Sequence, residues 1–296
     1  MNTTISDTNI YNETSAIIIT IIAIGGNSIV LTILARPEFR KQSLFRYFFA
    51  ATIFDTMNAL QIWPNNYSDF FLINDLDLSC KLYSYITSVT TLFSSWLNVL
   101  CSIDVYLTVN YSSRFQFRKQ LKYQLLAIFI VLVSSSLVSL PFLLYSIVKA
   151  EIGCSTYSYQ ISFYLNLYFT VIFLIIPFIL MVSANTSVFL RLKEHKKHTT
   201  NHRKYKTAKY LFKISLGMNL LFLVSNLPVY IVYIVGNLLN TFFSPFFYNI
   251  FYLFSFVYFS LDIFVYIFAN KLFCKYFISM LKLSGCTVKI SNANVI

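Results

Sequence analysis

Three acids stand where acids are costly. Asp55, Asp104 and Asp262 each interrupt or border a long run that holds no other charge. A carboxylate in hydrocarbon costs about 2.5 to 3.5 kcal/mol on insertion scales, so such a group is normally paired or functional. Sharing a proton, holding a cation or switching are the chemistries open to it. His195, His198 and His202 recur at spacings of three and four, which places them on one helix face and makes zinc ligation conceivable. No carboxylate cluster accompanies them, and a solvated basic extension is the expected role. Five cysteines leave at least one free or modified. There is no Gly-rich phosphate loop, Ser-His-Asp arrangement or intramembrane metal set, so the chain is not expected to be an enzyme.

The elements that position these residues must suit a chain that is 57% hydrophobic, 19% aromatic and only 11% charged, with a mean hydropathy of +0.65. Too few polar side chains remain to cover a soluble surface, and neither disorder nor a fibrous repeat fits. Lipid is the implied solvent. An α-helix needs roughly 20 apolar residues to cross a bilayer. Ala16 to Ala35, Tyr47 to Pro64 (with Asp55), Leu82 to Ile103 and Tyr123 to Val148 supply four crossings, and the stretch from about Gln160 to Leu190 a fifth. Ile214 to Leu261 is about twice one crossing, and Gly236, Asn237, Asn240, Ser244 and Pro245 carry the breaker chemistry for a turn near its middle. Seven crossings result. The first is too long, and its N-terminal flank too free of basic residues, for a removable signal peptide.

Basic residues mark the cytoplasmic side. Every lysine and arginine except Lys81 and Lys149 falls between spans one and two, three and four, or five and six, or after span seven. The N-terminus is therefore predicted outside, at the plasma membrane. The net charge of +12 then reads as topology and contact with anionic headgroups, with no nucleic acid partner. Asn2, Asn12 and Asn66 begin glycosylation triplets on the predicted outer face. The triplets at Asn110 and Asn185 fall on the cytoplasmic side or within the fifth span, where no sugar is expected.

Cys80 lies at the outer start of span three and Cys154 in the outer loop between spans four and five. Gly26-Asn27 on span one, Asp55, and the prolines Pro64, Pro141 and Pro177 fall at further landmarks. With its seven spans and its polarity, the whole chain resembles the rhodopsin-like G-protein-coupled receptors, in which the two cysteines form a disulfide. Three motifs depart from the family pattern. Asp104-Val105-Tyr106 resembles the Asp-Arg-Tyr triplet but lacks the arginine, which in the family pairs with its acid at rest and faces the G protein when active. Asp104 is open instead to pairing with Arg114 or Arg118. Phe222 to Pro228 resembles the Phe…Cys-Trp-x-Pro switch, with Ser225 for the cysteine and Asn226 for the tryptophan, and Asp262 to Tyr266 resembles Asn-Pro-x-x-Tyr.

The resemblance implies an all-α, seven-transmembrane bundle at 16–269, an extracellular segment at 1–15, and a cytoplasmic tail at 270–296 that opens with a short amphipathic eighth helix. Cys274 or Cys286 in that tail are palmitoylation candidates. It also places Asp55 and Asp262 facing one another near Ser94, where family members hold sodium. Two carboxylates sharing a dry site need a bridging cation or a shared proton. No other cofactor is expected. The outward pocket is expected to be lined by Tyr83, Thr87, Thr91, Asn226, Tyr230, Tyr233 and Tyr252. Thr87 replaces the aspartate of amine receptors, and no lysine precedes Lys271 in span seven to carry retinal, so neither a monoamine nor light is the expected signal. Asp69, Asp75, Asp77 and Glu151 outside favour a basic, neuropeptide-like ligand, with a heterotrimeric G protein and membrane lipids as further partners. The missing arginine keeps a decoy or weakly coupling receptor open. A chemosensory receptor stays open too, as does, more distantly, a transporter, although no internal repeat is visible.

Overall fold

The computed structural model describes residues 3–62, 73, 76–111, 120–149, 153–198, 202–238 and 245–281. Hydrocarbon offers backbone groups no partner, so each apolar run closes its own hydrogen bonds as a helix. The long helices are α1 (Thr3–Leu34), α2 (Ser43–Leu60), α3 (Asp77–Asn110), α4 (Leu121–Val138, resumed as Leu140–Tyr145), α5 (Tyr159–Thr170, Val171–Ile175 and Ile176–His198), α6 (His202–Leu238) and α7 (Pro245–Ala269). The short α8 (Lys271–Leu281) follows. α1 begins well before the apolar run at Ala16, extending the first span into the predicted extracellular segment.

Five helices, α1, α3, α4, α5 and α6, each hold an 18-residue window apolar enough to span. α7 qualifies across a 52° bend between Ile250–Phe256 and Leu261–Ala269. α2 carries Arg46 and Asp55 on its 18 residues and owes its place to packing against α1, α3 and α7. The helices form a closed ring in which α7 returns to α1 and α2, and α3 runs through the middle against α2, α4, α5 and α6. Accordingly 61% of the apolar window of α3 is buried, against 11% for α4, whose Leu125, Leu126, Phe129 and Ile130 face outward. Exposed leucines and phenylalanines are the stable surface when lipid is the solvent.

Proline and its neighbours bend the ring in two places. Pro177 has no N–H to give the carbonyl four residues earlier, Phe173, and α5 widens there into the π turn Val171–Ile175. The Ser95 hydroxyl of α3 donates to that freed carbonyl at 2.9 Å. Ahead of Pro141 the chain breaks at Ser139, and the Val138 carbonyl accepts from Tyr168 of α5 at 2.9 Å. At each break a hydroxyl from the next helix takes the place of the lost ladder bond.

β1 (Ser146–Lys149) and β2 (Gly153–Thr156) form an antiparallel hairpin that pairs Val148 with Cys154. Cys154 is bonded to Cys80 of α3 across a Cα–Cα distance of 5.4 Å, and the Asp77 carboxylate accepts from the Val148 amide at 2.7 Å. The hairpin is thus fixed to the N-terminal end of α3. At the other end, Asn270 caps α8 by accepting from the Phe273 amide at 2.9 Å. Phe273 is fully buried, stacked on Tyr266 at 5.2 Å and edge-on to Phe39 at 6.3 Å. Arg36 lies 4.3 Å above the Tyr276 ring, which ties α8 to the first inner turn.

α6 and α7 come close at Gly217, where an added Cβ would lie 2.8 Å from Val265 Cγ1. Gly217→Ala is expected to destabilise the bundle by about 1 to 3 kcal/mol through this overlap. Adding Val265→Ala should restore most of the loss, read as melting temperature in detergent micelles. A single variant as stable as the parent would show that the helices do not approach this closely.

Candidate functional site

α3 repeats a polar residue every four positions, Thr90, Ser94, Asn98 and Ser102, which one helix face presents as a stripe. All four are buried, because α3 is the central helix. Three polar centres are built along it.

The middle one holds the intramembrane acids. Asp55 and Asp262 are fully buried, their carboxyl groups lie against one another, and the Ser94 hydroxyl donates to Asp55 Oδ1. Asn98 donates to the hydroxyl of Tyr258, whose ring adjoins the pair from α7. Asp55 Oδ2 and both oxygens of Asp262 receive no hydrogen bond although all three are sealed from solvent. Asn27 braces α7 beside them by donating to the Phe259 carbonyl at 2.9 Å. Three orphaned carboxylate oxygens and a serine hydroxyl form an all-oxygen donor set, which fits a hard cation such as sodium or a proton held between the acids. Among the described residues no group of three histidine, cysteine or acidic side chains could hold another metal. His195 and His198 fall at the end of α5 and His202 at the start of α6, with side chains outside the described set.

At the end that carries the hairpin, α2, α3, α5, α6 and α7 enclose a cavity of about 250 Å³. Thr87, Thr91, Asn226, Tyr230, Tyr233 and Tyr252, chosen from sequence, all line it. Tyr83 does not; its hydroxyl donates to the Gln61 carbonyl at 3.2 Å and ties α3 to α2. Asn58, Gln61 and Asn166 line the cavity too and were missed, although an amide within an apolar span is itself a signal. Phe222 lies beneath the cavity, edge-on to Phe173 at 5.3 Å and to Tyr258 at 5.5 Å, and so links pocket floor to acid pair. Pro228 lies inside α6 six residues further along.

The opposite end carries the third centre. Ser102 and Ser215 hydroxyls meet at 3.2 Å, Asn219 donates to Ser102 at 2.9 Å, and Ser215 donates to Asn185 at 3.4 Å. α3, α5 and α6 are joined there by four uncharged side chains, which the sequence reading also missed. One turn further, Val105 is fully buried in the apolar inner cluster with Leu192, Leu211 and Ile214. Asp104 accepts from Ser43 of α2 at 2.6 Å, so this acid is held by a hydroxyl; Arg114 and Arg118 lie outside the described residues. Tyr106 packs edge-on to Tyr111 at 5.9 Å, and Tyr266 is buried between Phe48 and Phe273.

The remaining expected sites scatter. Cys274 is a half-buried free thiol on α8 and Cys101 a buried one on α3. Asn12 lies on α1 with its side chain undescribed, while Asn2, Asn66, Pro64, Asp69, Asp75, Glu151 and Cys286 lie outside the described residues.

No curated protein matches the chain. A family profile does: the one described as 7 transmembrane receptor (rhodopsin family) covers residues 26–266, from the Gly-Asn pair of α1 to Tyr266 of α7. With that match over most of its length, the chain belongs to the rhodopsin family of seven-transmembrane receptors, a multi-pass membrane receptor and not an enzyme.

Proposed function

We propose that this receptor sits in the plasma membrane with its N-terminus outside, binds an extracellular peptide in the cavity under the hairpin, and signals through a heterotrimeric G protein. The observation that carries the reading is the cavity at the hairpin end, opposite the end where nearly all lysines and arginines cluster. A two-stranded hairpin has two edges; the Val148 amide on the β1 edge is already held by Asp77, so an extended peptide adds to β2 as a further strand.

Ligand in the cavity presses on Phe222 and on α6, and the inner end of α6 must swing away from α3 and α5 to admit a G protein. The bonds that oppose this swing are those of Ser102, Asn185, Ser215 and Asn219. With Val105 at the arginine position, that residue of α3 cannot share the task through an ion pair. The acid pair lies between the two ends. Asp55, Ser94 and Asp262 would hold a sodium ion there, or the acids a shared proton, supplying the positive charge that three orphaned oxygens lack. Such a charge stabilises the closed packing of α2, α3 and α7.

Val105 favours one second reading, a decoy that binds ligand without coupling, because a buried valine offers a G protein no charge. Ligand binding in cells without nucleotide exchange, arrestin recruitment or second-messenger change would select it.

Two measurements follow. Sodium chloride should raise the melting temperature of the purified chain above that in an equal concentration of choline chloride, and Asp262→Asn should abolish the difference. An unchanged temperature in both salts, at every pH from 5 to 8, would remove both the cation and the shared proton. Asn219→Leu removes one net hydrogen bond, about 1 kcal/mol in a membrane bundle, which is about fivefold in the open-to-closed ratio. Ligand-independent nucleotide exchange in vesicles should rise by that factor, and a rate equal to the parent's would show that these bonds do not hold α6.

A further inference from the structure

Among the described residues, the lining of the cavity at the hairpin end is polar yet uncharged. It holds four carboxamides, Asn58, Gln61, Asn166 and Asn226, together with hydroxyls and a sleeve of aromatic rings, and no described Asp, Glu, Lys, Arg or His.

Three of the amides have their orientation fixed by what they face. Asn226 Nδ2 donates to the Phe222 carbonyl at 2.9 Å, and Asn166 Nδ2 donates to the Ser162 carbonyl at 2.8 Å. Gln61 Nε2 donates to the Thr90 hydroxyl at 2.8 Å, and the Thr90 hydroxyl in turn gives its own proton to the Ile86 carbonyl at 2.9 Å. A flipped amide would set oxygen against carbonyl oxygen at Asn226 and Asn166, and at Gln61 it would take the Thr90 proton away from the Ile86 carbonyl. The nitrogens are therefore committed to the framework. Asn226 Oδ1, Asn166 Oδ1 and Gln61 Oε1 accept no hydrogen bond among the described residues.

The amides thus offer acceptors and ask for donors. A carboxylate entering the cavity would find neutral hydroxyls such as that of Thr87 but no described cation, too little to replace its hydration. An ammonium would find dipoles and ring faces but no countercharge, and burial without a partner ion is the larger effect. An uncharged donor satisfies both conditions. The rings, among them Phe169, Phe256 and Tyr230, give an aromatic neighbour of that donor a place to stack.

Resting on the reading of this cavity as the ligand site, we propose that it receives an uncharged, hydrogen-bond-donating ligand end: the primary carboxamide of an amidated peptide, with an aromatic side chain beside it. The peptide's charged groups remain outside, at the hairpin and the solvated rim.

Three probes that share a phenyl ring test this on the full-length receptor in lipid nanodiscs: N-acetyl-phenylalaninamide, N-acetyl-phenylalanine and phenethylamine, titrated at pH 7 by ligand-observed NMR. The amide is expected to bind at least tenfold more tightly than the acid or the amine. Asn226→Asp, which places an acid in the lining, should shift the ranking at least tenfold toward phenethylamine, a gain that damaged folding cannot produce. Equal binding of the three probes, preference for a charged one, no detectable amide binding, or a ranking unmoved by Asn226→Asp would each overturn the inference. No signalling is read, so the two proposals fail separately. A chain that binds the amide and never activates a G protein removes the coupling reading alone, whereas one that signals but ranks a charged probe first removes the inference alone.

Discussion

Hydrocarbon supplies no hydrogen bonds, and this constraint orders the polar groups of the bundle. Each polar side chain inside the spans must find a partner on another helix, on its own backbone or in a ligand. α3 satisfies the constraint by running through the centre and presenting Thr90, Ser94, Asn98 and Ser102 on one face. These four residues meet Gln61, Asp55, Tyr258 and Asn219 in turn, so a single stripe binds α3 to α2, α7 and α6. Ser95, one position round, takes the carbonyl that Pro177 frees on α5. Bonds are missing at several buried atoms, Asn27 Oδ1, Asn98 Oδ1 and Tyr266 Oη among them, and at two places the gap suits an added partner. The orphaned oxygens of Asp55 and Asp262 and the unused carbonyls of the cavity amides are where an added cation, proton or ligand donor would complete the set.

The three centres are stacked along α3 and are joined by shared residues. Phe222 touches Phe173 at the cavity and Tyr258 at the acid pair. Asn98 donates to Tyr258, and its backbone carbonyl accepts from Ser102 at 3.1 Å, which opens the inner cluster. The cavity, the acid pair and the cluster at the opposite end are therefore linked by rings and hydrogen bonds already in contact. Sub-ångström changes propagate in such a column because its packed side chains have discrete arrangements.

The sequence made the crossings legible because lipid demands long uncharged runs, and charge asymmetry ordered the two ends. The acid pair was legible because Asp55 and Asp262 stand alone in apolar sequence. Most of the pocket followed from position along α3, α6 and α7. What escaped notice was neutral. Asn58, Gln61, Asn166, Asn185, Asn219 and Tyr258 carry no charge to interrupt a hydropathy run, and their partners lie on other helices, so only the packed bundle shows which of them meet. Tyr83 was misjudged as a pocket residue for the complementary reason: its neighbours on the α3 face point inward, but its hydroxyl is drawn to the end of α2 by the Gln61 carbonyl.

The missing arginine can be read in the same terms. An arginine at position 105 would bring a permanent charge into a region now filled by Val105, Leu192, Leu211 and Ile214, and that charge would need Asp104 as its partner. With valine there, Asp104 accepts from the Ser43 hydroxyl, and the uncharged groups one turn away join α3 to α6. Neutral hydrogen bonds of this kind are individually weak, about 0.6 kcal/mol on average in membrane helices. A lock made of them is weaker than a desolvated ion pair whose loss would strand a charge. With valine at position 105, the contact among α3, α5 and α6 one turn away is set by packing and by the uncharged hydrogen bonds of Ser102, Asn185, Ser215 and Asn219.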